Sequence, residues 1–344
     1  MWNAKGKNVK TALSHTVLPD AVACHCGEIS HPDGDGKMKG RYCHRFLTVM
    51  VLLLGTVWPM KADAAEALRF RHAVSLYTDD QGLGLKRPQG VACSGSSVVV
   101  VADTANNRLL RFALTADDAN PEVTAWKPPA MVYPQLIRQN RQGDIYVLDG
   151  KLRRVLHLSP EGKDLGFLDP IGVPLPAQIA IRSFDIDVHG NIYFLDVLSK
   201  RVLACNARGE VLRQIRFPEA FGFFSGLVVD ARENIFLLDS VNAQVFSAKP
   251  GAPQFSPLGQ QLKEFVRFPT SLAIDPQGRI YLVDRNGSKI VVLARDGTYI
   301  GKFSDLGWKD GLLNHPSQIC LTEQGGLVVA DTSNNRVQIF RPLK

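Results

Sequence analysis

The stretch PQGVACSGSSVVVVADTANNRLLRF at residues 88–112 decides the fold, because its pattern returns as HPSQICLTEQGGLVVADTSNNRVQIF at residues 315–340. In both copies a proline leads an apolar segment and a second apolar run ends in aspartate. An Asn-Asn-Arg turn then precedes a third run. The pattern predicts a unit of short strands that recurs along the chain.

The aspartate is the most regular member of this pattern, and it recurs at intervals of 43 to 47 residues. It stands at Asp103, Asp149, Asp196, Asp239, Asp284 and Asp331. Five residues beyond it lies a basic residue in five of the six units, at Arg108, Arg154, Arg201, Lys289 and Arg336. In the fourth unit Gln244 takes that position. The chain therefore contains six similar units.

Each unit is predicted to consist of strands. The apolar runs before the aspartates are short and rich in Val, Ile, Tyr and Phe, and their uninterrupted apolar character indicates burial of both faces. No long stretch has the 3.6-residue periodicity of a helical solenoid. A sheet covered by a like sheet on either side is a propeller blade. We predict an all-β, six-bladed β-propeller of four-stranded antiparallel blades, with strands A to D in each blade.

The ring is predicted to close through an N-terminal strand. The sixth unit reaches Lys344 without room for its strand D, whereas Leu68, Phe70, His72, Val74 and Leu76 alternate with Arg69, Arg71, Ala73 and Ser75. This period-two pattern is typical of a half-buried strand. We expect the strand to complete the last blade and to remove the exposed sheet edges.

The units at residues 88–112 and 315–340 resemble NHL repeats, and the resemblance extends over about residues 67–344. It is weakest in the fourth unit, which lacks both the opening proline and the basic residue. The resemblance implies a six-bladed NHL propeller of the exported bacterial type. That family contains binding scaffolds as well as metal-dependent lyases that use several histidines around the axis, so the fold does not fix the function.

The front of the chain resembles an export signal. Residues 46–58 (FLTVMVLLLGTVW) carry no charge, follow Lys39, Arg41 and Arg45, and precede Ala62 and Ala64, which fit the A-x-A cleavage rule. As a helix this run would rise about 20 Å, short of a hydrocarbon core of about 30 Å, which favours cleavage over an uncleaved anchor. We predict a disordered or mis-assigned start at 1–37, a signal peptide at 38–64 and the propeller at 65–344. Export to the periplasm or the exterior would leave no stable transmembrane segment.

The charge does not favour a nucleic-acid partner. The chain has 40 Lys and Arg against 33 Asp and Glu, but eight of these basic and five of these acidic residues lie within residues 1–64. The small remaining excess gives no dense basic footprint for phosphate. We expect a monomer that binds a protein or an envelope component.

Three cysteines, Cys93, Cys205 and Cys320, follow the predicted cleavage site, and an odd number leaves at least one thiol free or paired between chains. Cys93 falls one position out of step with Cys320, on the opposite strand face. From this offset we expect no disulfide between them.

Metal ligands are sparse in the sequence. None of the histidines of the mature chain, His72, His157, His189 and His315, falls on a predicted strand A, and Cys24, His25 and Cys26 lack a second ligand pair. We therefore expect no cofactor, with a divalent cation as the open alternative.

The aspartate and basic columns are predicted to be structural, because a residue that recurs in every blade is expected to serve the folding that all blades share. The aspartate can accept backbone N–H groups of the following turn, and the basic residue can pair with it. Binding residues are expected among those that differ between blades, on the loops that lead into strand A and join strands B and C. The candidates are Arg87, Asn107, Tyr133, Lys151, Lys200, Arg267, Arg285, His315 and Asn335.

Two further candidates lie on strand A itself. Arg138 and Asp185 occupy one level in adjacent blades, either as a buried ion pair or as a ligand or metal site that faces the channel. Two functions follow. The favoured hypothesis is an exported, non-catalytic binding scaffold. The alternative is a divalent-metal-assisted lyase or hydrolase at the channel mouth, with Asp185 and Arg138 as binding or polarising groups.

Overall fold

The structure is a computed structural model that describes residues 69–95, 97–114 and 121–343. The predicted segments 1–37 and 38–64 lie outside these residues, as does Leu68 of the closing strand. Within the described ranges no helix is long and apolar enough to cross a membrane.

Six antiparallel sheets of four strands each form the propeller, as predicted. The first strand, β1 at Phe70–Leu76, belongs to the last blade. Blade 1 contains β2 to β5 at Gly90–Ser94, Val98–Asp103, Arg108–Ala113 and Glu122–Trp126. Blade 2 contains β6 to β9 at Pro134–Gln139, Ile145–Asp149, Arg154–Leu158 and Asp164–Leu168. Blade 3 contains β10 to β13 at Ile181–Ile186, Ile192–Asp196, Arg201–Cys205 and Val211–Arg216.

The other blades repeat this arrangement. Blade 4 contains β14 to β17 at Phe224–Val229, Ile235–Asp239, Gln244–Ala248 and Ser256–Leu258. Blade 5 contains β18 to β21 at Pro269–Ile274, Ile280–Asp284, Lys289–Leu293 and Tyr299–Phe303. Blade 6 contains β22 to β24 at Ile319–Leu321, Leu327–Asp331 and Arg336–Pro342, with β1 as its outermost strand. Short 3₁₀ turns at Thr104–Asn106 and Thr332–Asn334 follow strand B in blades 1 and 6.

The core lies between the blades. Each pair of neighbouring blades encloses one apolar cluster, six clusters in all among the residues described. In blade 1, Val99 packs toward blade 6, whereas Val100 packs toward Ile137 of blade 2. Strand B is therefore buried on both faces, which explains its uninterrupted apolar runs.

Strand β1 closes the ring by pairing antiparallel with β24, from Phe70 opposite Pro342 to Leu76 opposite Val337. The register shifts between His72 and Val74, so Ala73 forms an irregularity that interrupts the predicted alternation. The pairing nevertheless joins the start of the propeller to its end.

The expectation of no disulfide is wrong, because Cys93 of β2 is bonded to Cys320 of β22. The sequence registers were right: Cys93 pairs with Val99, whereas Cys320 pairs with Val328, which is equivalent to Val100. The two cysteines do occupy opposite faces of their own sheets. In a ring of blades, however, neighbouring sheets meet through opposite faces, and this offset directs the two thiols toward each other. Cys205 is free and buried.

Candidate functional site

The aspartate column ties together the two loop sets of one end of the ring, here called the upper face. Asp149 Oδ2 accepts the N–H groups of Val132 and Tyr133 at 2.6 and 2.8 Å, in the loop that leads into strand A. Its Oδ1 accepts those of Lys151 and Leu152 at 2.9 Å, in the BC loop. The other five aspartates also bond both loops, through backbone N–H groups or the side-chain amide of a BC-loop asparagine. The bond to the leading loop was not predicted.

The basic column pairs with its own aspartate in four blades. The side-chain nitrogens of Arg108, Arg201, Lys289 and Arg336 lie 2.7 to 3.8 Å from the carboxylates of Asp103, Asp196, Asp284 and Asp331. Arg154 departs from the prediction, because its guanidinium pairs with Asp169 and lies over the ring of Phe167. Four backbone donors already surround Asp149, which leaves Arg154 free to turn outward.

These donors also set the ionisation of Asp149. Burial opposes its ionisation, but the N–H groups of Leu152, Tyr133, Val132 and Lys151 outweigh that cost and hold its pKa below the ordinary value. Asp239 is in the same situation, with donors from Asn242, Gly222 and Phe223. A depressed pKa in the folded state adds stability above the unfolded pKa of about 4, and this stability is lost as the pH falls through the folded value.

Replacing Asp149 by asparagine should therefore cost about 2 kcal/mol of unfolding free energy at pH 7, because the amide group cannot accept from all four donors. The difference between the variant and wild type should shrink as the pH falls below about 4. Urea unfolding at pH 7 and pH 3 measures it. The exposed Asp80, whose carboxylate accepts from the neighbouring Gln81 side chain, gives the control D80N. A pH-independent difference for D149N would contradict the argument.

Several candidate binding residues occupy one backbone position. The residue before the basic column has φ between 51° and 55° in every blade, at Asn107, Arg153, Lys200, Ala243, Ser288 and Asn335. Asparagine tolerates this left-handed region best among non-glycine residues. The backbone conformation thus explains why asparagine stands at Asn107 and Asn335, whereas it does not explain the choice of lysine at Lys200.

The other candidates spread over the upper face instead of converging. Arg87 is exposed and its N–H donates to Asn335 Oδ1, while the His315 ring contacts Asn314. Arg267 is exposed in the leading loop of blade 5. Lys151 lies over the ring of Tyr133 at 5.6 Å, and Tyr133 accepts a hydrogen bond from Gln89. Of the predicted set, Arg285 alone lines the axial cavity described below.

Side chains bridge the interior of the channel. Arg138 Nε lies 2.7 Å from Asp185 Oδ1, and Asp185 Oδ2 accepts the N–H of Val229 in blade 4 at 2.7 Å. Above this pair, Gln318 accepts from Val91 and Ile137 and donates to the Ile137 carbonyl. Arg138 and Asp185 thus form the ion pair of the first alternative, and Asp185 uses both carboxylate oxygens within the protein.

A cavity of about 70 Å³ lies at the upper mouth of the channel. Every blade contributes the residue that follows the opening position of strand A to its wall. This axial ring consists of Gln89, Gln135, Arg182, Ser225, Thr270 and Ser317. Sequence reasoning missed the ring because it compared a column deeper in strand A. Aligning the residue after each opening proline would have found most of its members.

Arg182 and Arg285 are the charged residues of this wall. Arg285 stands directly after the aspartate of blade 5. At the equivalent position of blades 1, 4 and 6, the hydroxyl groups of Thr104, Ser240 and Thr332 each donate to a proline carbonyl of the next blade. Burial lowers the pKa of Arg182 and of Arg285, and the charges of neighbouring arginines lower them further. Both charged residues that line the cavity are thus cations, and no acidic side chain of the described residues lines it with them.

The side chains do not fit a metal site of the kind that the alternative function requires. Within the described ranges no group of three or more His, Cys, Asp or Glu side chains could hold a metal ion. The four histidines lie apart, on β1, on β8, in the turn after β10 and in the loop before β22.

The fold and the repeated upper loops define a six-bladed β-propeller. Residues 313–340 match the family model of the NHL repeat, so the chain is a propeller that carries an NHL repeat. The match confirms the NHL resemblance for this unit, while the exported type stays a prediction.

Solved propellers share this fold at low sequence identity. A streptogramin B lyase matches with a TM-score of 0.58 and 11% identity, covering 80% of this chain and 98% of the lyase. A gluconolactonase from Xanthomonas campestris matches with a TM-score of 0.59 and 13% identity, covering 80% of this chain and 90% of the gluconolactonase. A chain of a nidogen/laminin complex matches with a TM-score of 0.52 and 16% identity, and the match covers 69% of this chain and 92% of that chain. At these identities the likeness establishes the fold alone.

Proposed function

We propose that the mature chain is an exported binding propeller whose upper face holds an acidic, partly apolar protein segment across blades 3 and 4. The observation that carries this proposal is a group of exposed apolar side chains around a lysine that has no ion-pair partner among the described residues. The group consists of Leu175, Leu198, Lys200, Phe223 and Val241, here called the blade 3–4 surface.

A large exposed apolar side chain at one position of the BC loop distinguishes blades 3 and 4. The second residue after the aspartate is Leu198 in blade 3 and Val241 in blade 4, which are 58% and 59% exposed. The equivalent residues in blades 1, 2, 5 and 6 are Ala105, Lys151, Asn286 and Ser333. Clustered exposed apolar side chains are a frequent sign of a protein interaction site.

One contact between the two blades and one within blade 4 make this surface continuous. Lys200 Nζ of blade 3 lies 5.9 Å from the ring of Phe221 in the leading loop of blade 4. Val241 packs so closely on Gly222 that a β-carbon there would lie 2.6 Å from Val241 Cβ. A groove of about 470 Å³ opens between Leu175 and Phe221.

The charges favour an acidic partner. Lys200, Arg201 and Arg216 line the groove, and Glu219 is its acidic residue. Arg201 is held by Asp196, which leaves Lys200 and Arg216 available to partner carboxylates. Export is supported by the N-terminal sequence pattern and by the Cys93–Cys320 disulfide, since disulfides persist in oxidising compartments.

A photo-crosslinking experiment in the native host tests this proposal. A crosslinking amino acid at position 198 or 241 should capture one and the same protein, whereas position 212 should not. Leu212 lies on the peripheral strand β13 and is 61% exposed, so it is matched in exposure. With the captured partner purified, L198D/V241D should bind at least tenfold more weakly, and L212D should bind like wild type. Equal capture at position 212, or undiminished binding by L198D/V241D, would refute the proposal.

The second candidate, a divalent-metal-assisted lyase or hydrolase, is favoured by the fold neighbours that are named as a lyase and a gluconolactonase. The pairing of Arg138 with Asp185 speaks against a role for these two residues in it. Metal analysis of the purified chain and of D185N separates the two functions. Stoichiometric metal that D185N loses together with an activity would favour the enzyme.

A further inference from the structure

We infer that the cavity inside the axial ring is a binding site for one oxyanion group, a carboxylate or a phosphate, held by Arg182 and Arg285. This inference does not rest on the proposed protein partner, because no residue of the cavity wall belongs to the blade 3–4 surface. The two sites are neighbours, since Phe223 of that surface contacts Arg182.

The first observation is an unsatisfied donor. Arg182 Nε is buried and has no hydrogen-bond partner among the described residues. The contact of its guanidinium that the structure records is with the face of the Phe223 ring, at 5.8 Å. A buried guanidinium N–H without an acceptor costs free energy, and this cost disappears when a ligand supplies the acceptor.

The second observation is the absence of a counter-charge within the described ranges. Neither Arg182 nor Arg285 forms an ion pair with a carboxylate there, whereas Arg108, Arg138, Arg201 and Arg336 all do. After burial, the charges of Arg153 and Arg285 lower the pKa of Arg182. The charge of Arg87 lowers the pKa of Arg285, and Tyr133 opposes that effect. An anion in the cavity would relieve this repulsion.

The third observation is the chemistry and size of the wall. The guanidinium fork suits carboxylate and phosphate oxygens. The hydroxyl and amide side chains of the ring offer further polar contacts. Some of these are already engaged, since Ser317 Oγ donates to the Gln89 carbonyl and Gln89 donates to Tyr133. A cavity of about 70 Å³ accommodates one such group, with the rest of the ligand directed out of the mouth.

Position in the repeat distinguishes these two arginines from structural ones. Four of the six ring positions carry Gln or Ser, one carries Thr, and blade 3 alone carries a charge. Arg285 likewise replaces the hydroxyl that ties blades 1, 4 and 6 to the next blade. Blades 2 and 3 carry Gly150 and Val197 at this position, so blade 5 alone places a charged residue there.

The test is the melting temperature of the mature chain in sodium phosphate, sodium acetate and sodium chloride at equal ionic strength. Phosphate or acetate, according to which group the site prefers, should raise the melting temperature by about 5 °C at a concentration near 100 times Kd. R182Q and R285Q should each weaken binding of that anion at least tenfold by calorimetry. In chloride, R182Q should melt no lower than wild type, because it loses an unsatisfied buried donor.

The control is R267Q, which removes an exposed arginine of the same face outside the cavity and should respond like wild type. Failure of both anions to stabilise the wild type, or an equal response in R182Q, R285Q and wild type, would overturn the inference. A fall in the melting temperature of R182Q in chloride with an intact anion response would assign Arg182 to structure and would also overturn it. Partner binding through the blade 3–4 surface is measured separately, so the two proposals can fail independently.

Discussion

Replacing Asp331 by alanine is expected to lower the free energy of unfolding by about 3 to 5 kcal/mol, the usual cost of leaving a buried charge without its partner. Asp331 is fully buried in blade 6. It accepts from the Asn314 N–H at 2.7 Å, Arg336 Nε at 2.7 Å and Gln338 Nε2 at 2.9 Å. The melting temperature should fall by about 10 °C.

The size of this effect depends on Arg336, which is 2% exposed. Burial opposes its charge, but hydrogen bonds to Asp331 and Tyr77 hold its pKa above the ordinary value. The same guanidinium also donates to the carbonyls of Lys309 and Leu312 and to the Asp310 carboxylate. Loss of Asp331 therefore affects the leading loop, the BC loop and the blade that closes the ring.

The matched control is D310A, which removes the other carboxylate partner of Arg336. The Asp310 side chain is 56% exposed, so water can replace it and the variant should lose about 1 kcal/mol or less. Thermal unfolding of both variants measures the difference, and anion binding by D331A below its melting temperature should remain close to that of wild type. If D331A melted like wild type, the aspartate column would not be the structural element described here.

Most of the architecture was predictable from sequence because its signal is repeated. One aspartate followed by a basic residue is a weak indication of fold. Six copies at a near-constant interval, each with short apolar strands, indicate six similar sheets arranged as a propeller. Ring closure was predictable for a related reason: the last unit lacks a strand, and Phe70 to Leu76 has the right pattern to supply it. The irregularity at Ala73 was not predictable, because the alternation carries no information on register shifts.

The errors arose where distant segments meet. The Cys93 and Cys320 registers were read correctly, but their relation across two facing sheets depends on the geometry of the ring. Arg154 has the same spacing from its aspartate as Arg108, yet it pairs with Asp169. Whether a basic side chain turns inward depends on how many other donors the aspartate already has.

The axial ring was missed for a different reason. Each blade contributes one small or polar residue to it, and Ser225 or Thr270 alone is typical of any strand. The six positions can be recognised as one ring once the strands are placed around a common axis. Arg285 was found as a candidate because it differs between blades, whereas Arg182 was missed because the sequence comparison followed the column of Arg138 and Asp185.

Removing the Cys93–Cys320 disulfide should cost about 5 kcal/mol of unfolding free energy. The two cysteines are separated by 227 residues, and the bond joins the innermost strands of blades 1 and 6. In the chain-entropy description, a crosslink that closes so long a loop removes much of the freedom of the unfolded chain. C93A/C320A should therefore melt well below wild type under oxidising conditions.

Reductant separates the crosslink from the packing of the two side chains. Dithiothreitol should lower the melting temperature of wild type almost to that of C93A/C320A and should leave the variant unchanged. The control C205A removes the buried free thiol of β12, whose pKa burial raises to about 12, and should cost about 1 kcal/mol in either condition. Since β1 and β24 already join the two ends of the propeller, a disulfide without effect would mean that strand pairing alone closes the ring. The predicted drop would mean that the covalent bond between blades 1 and 6 stabilises the closed ring beyond what strand pairing provides.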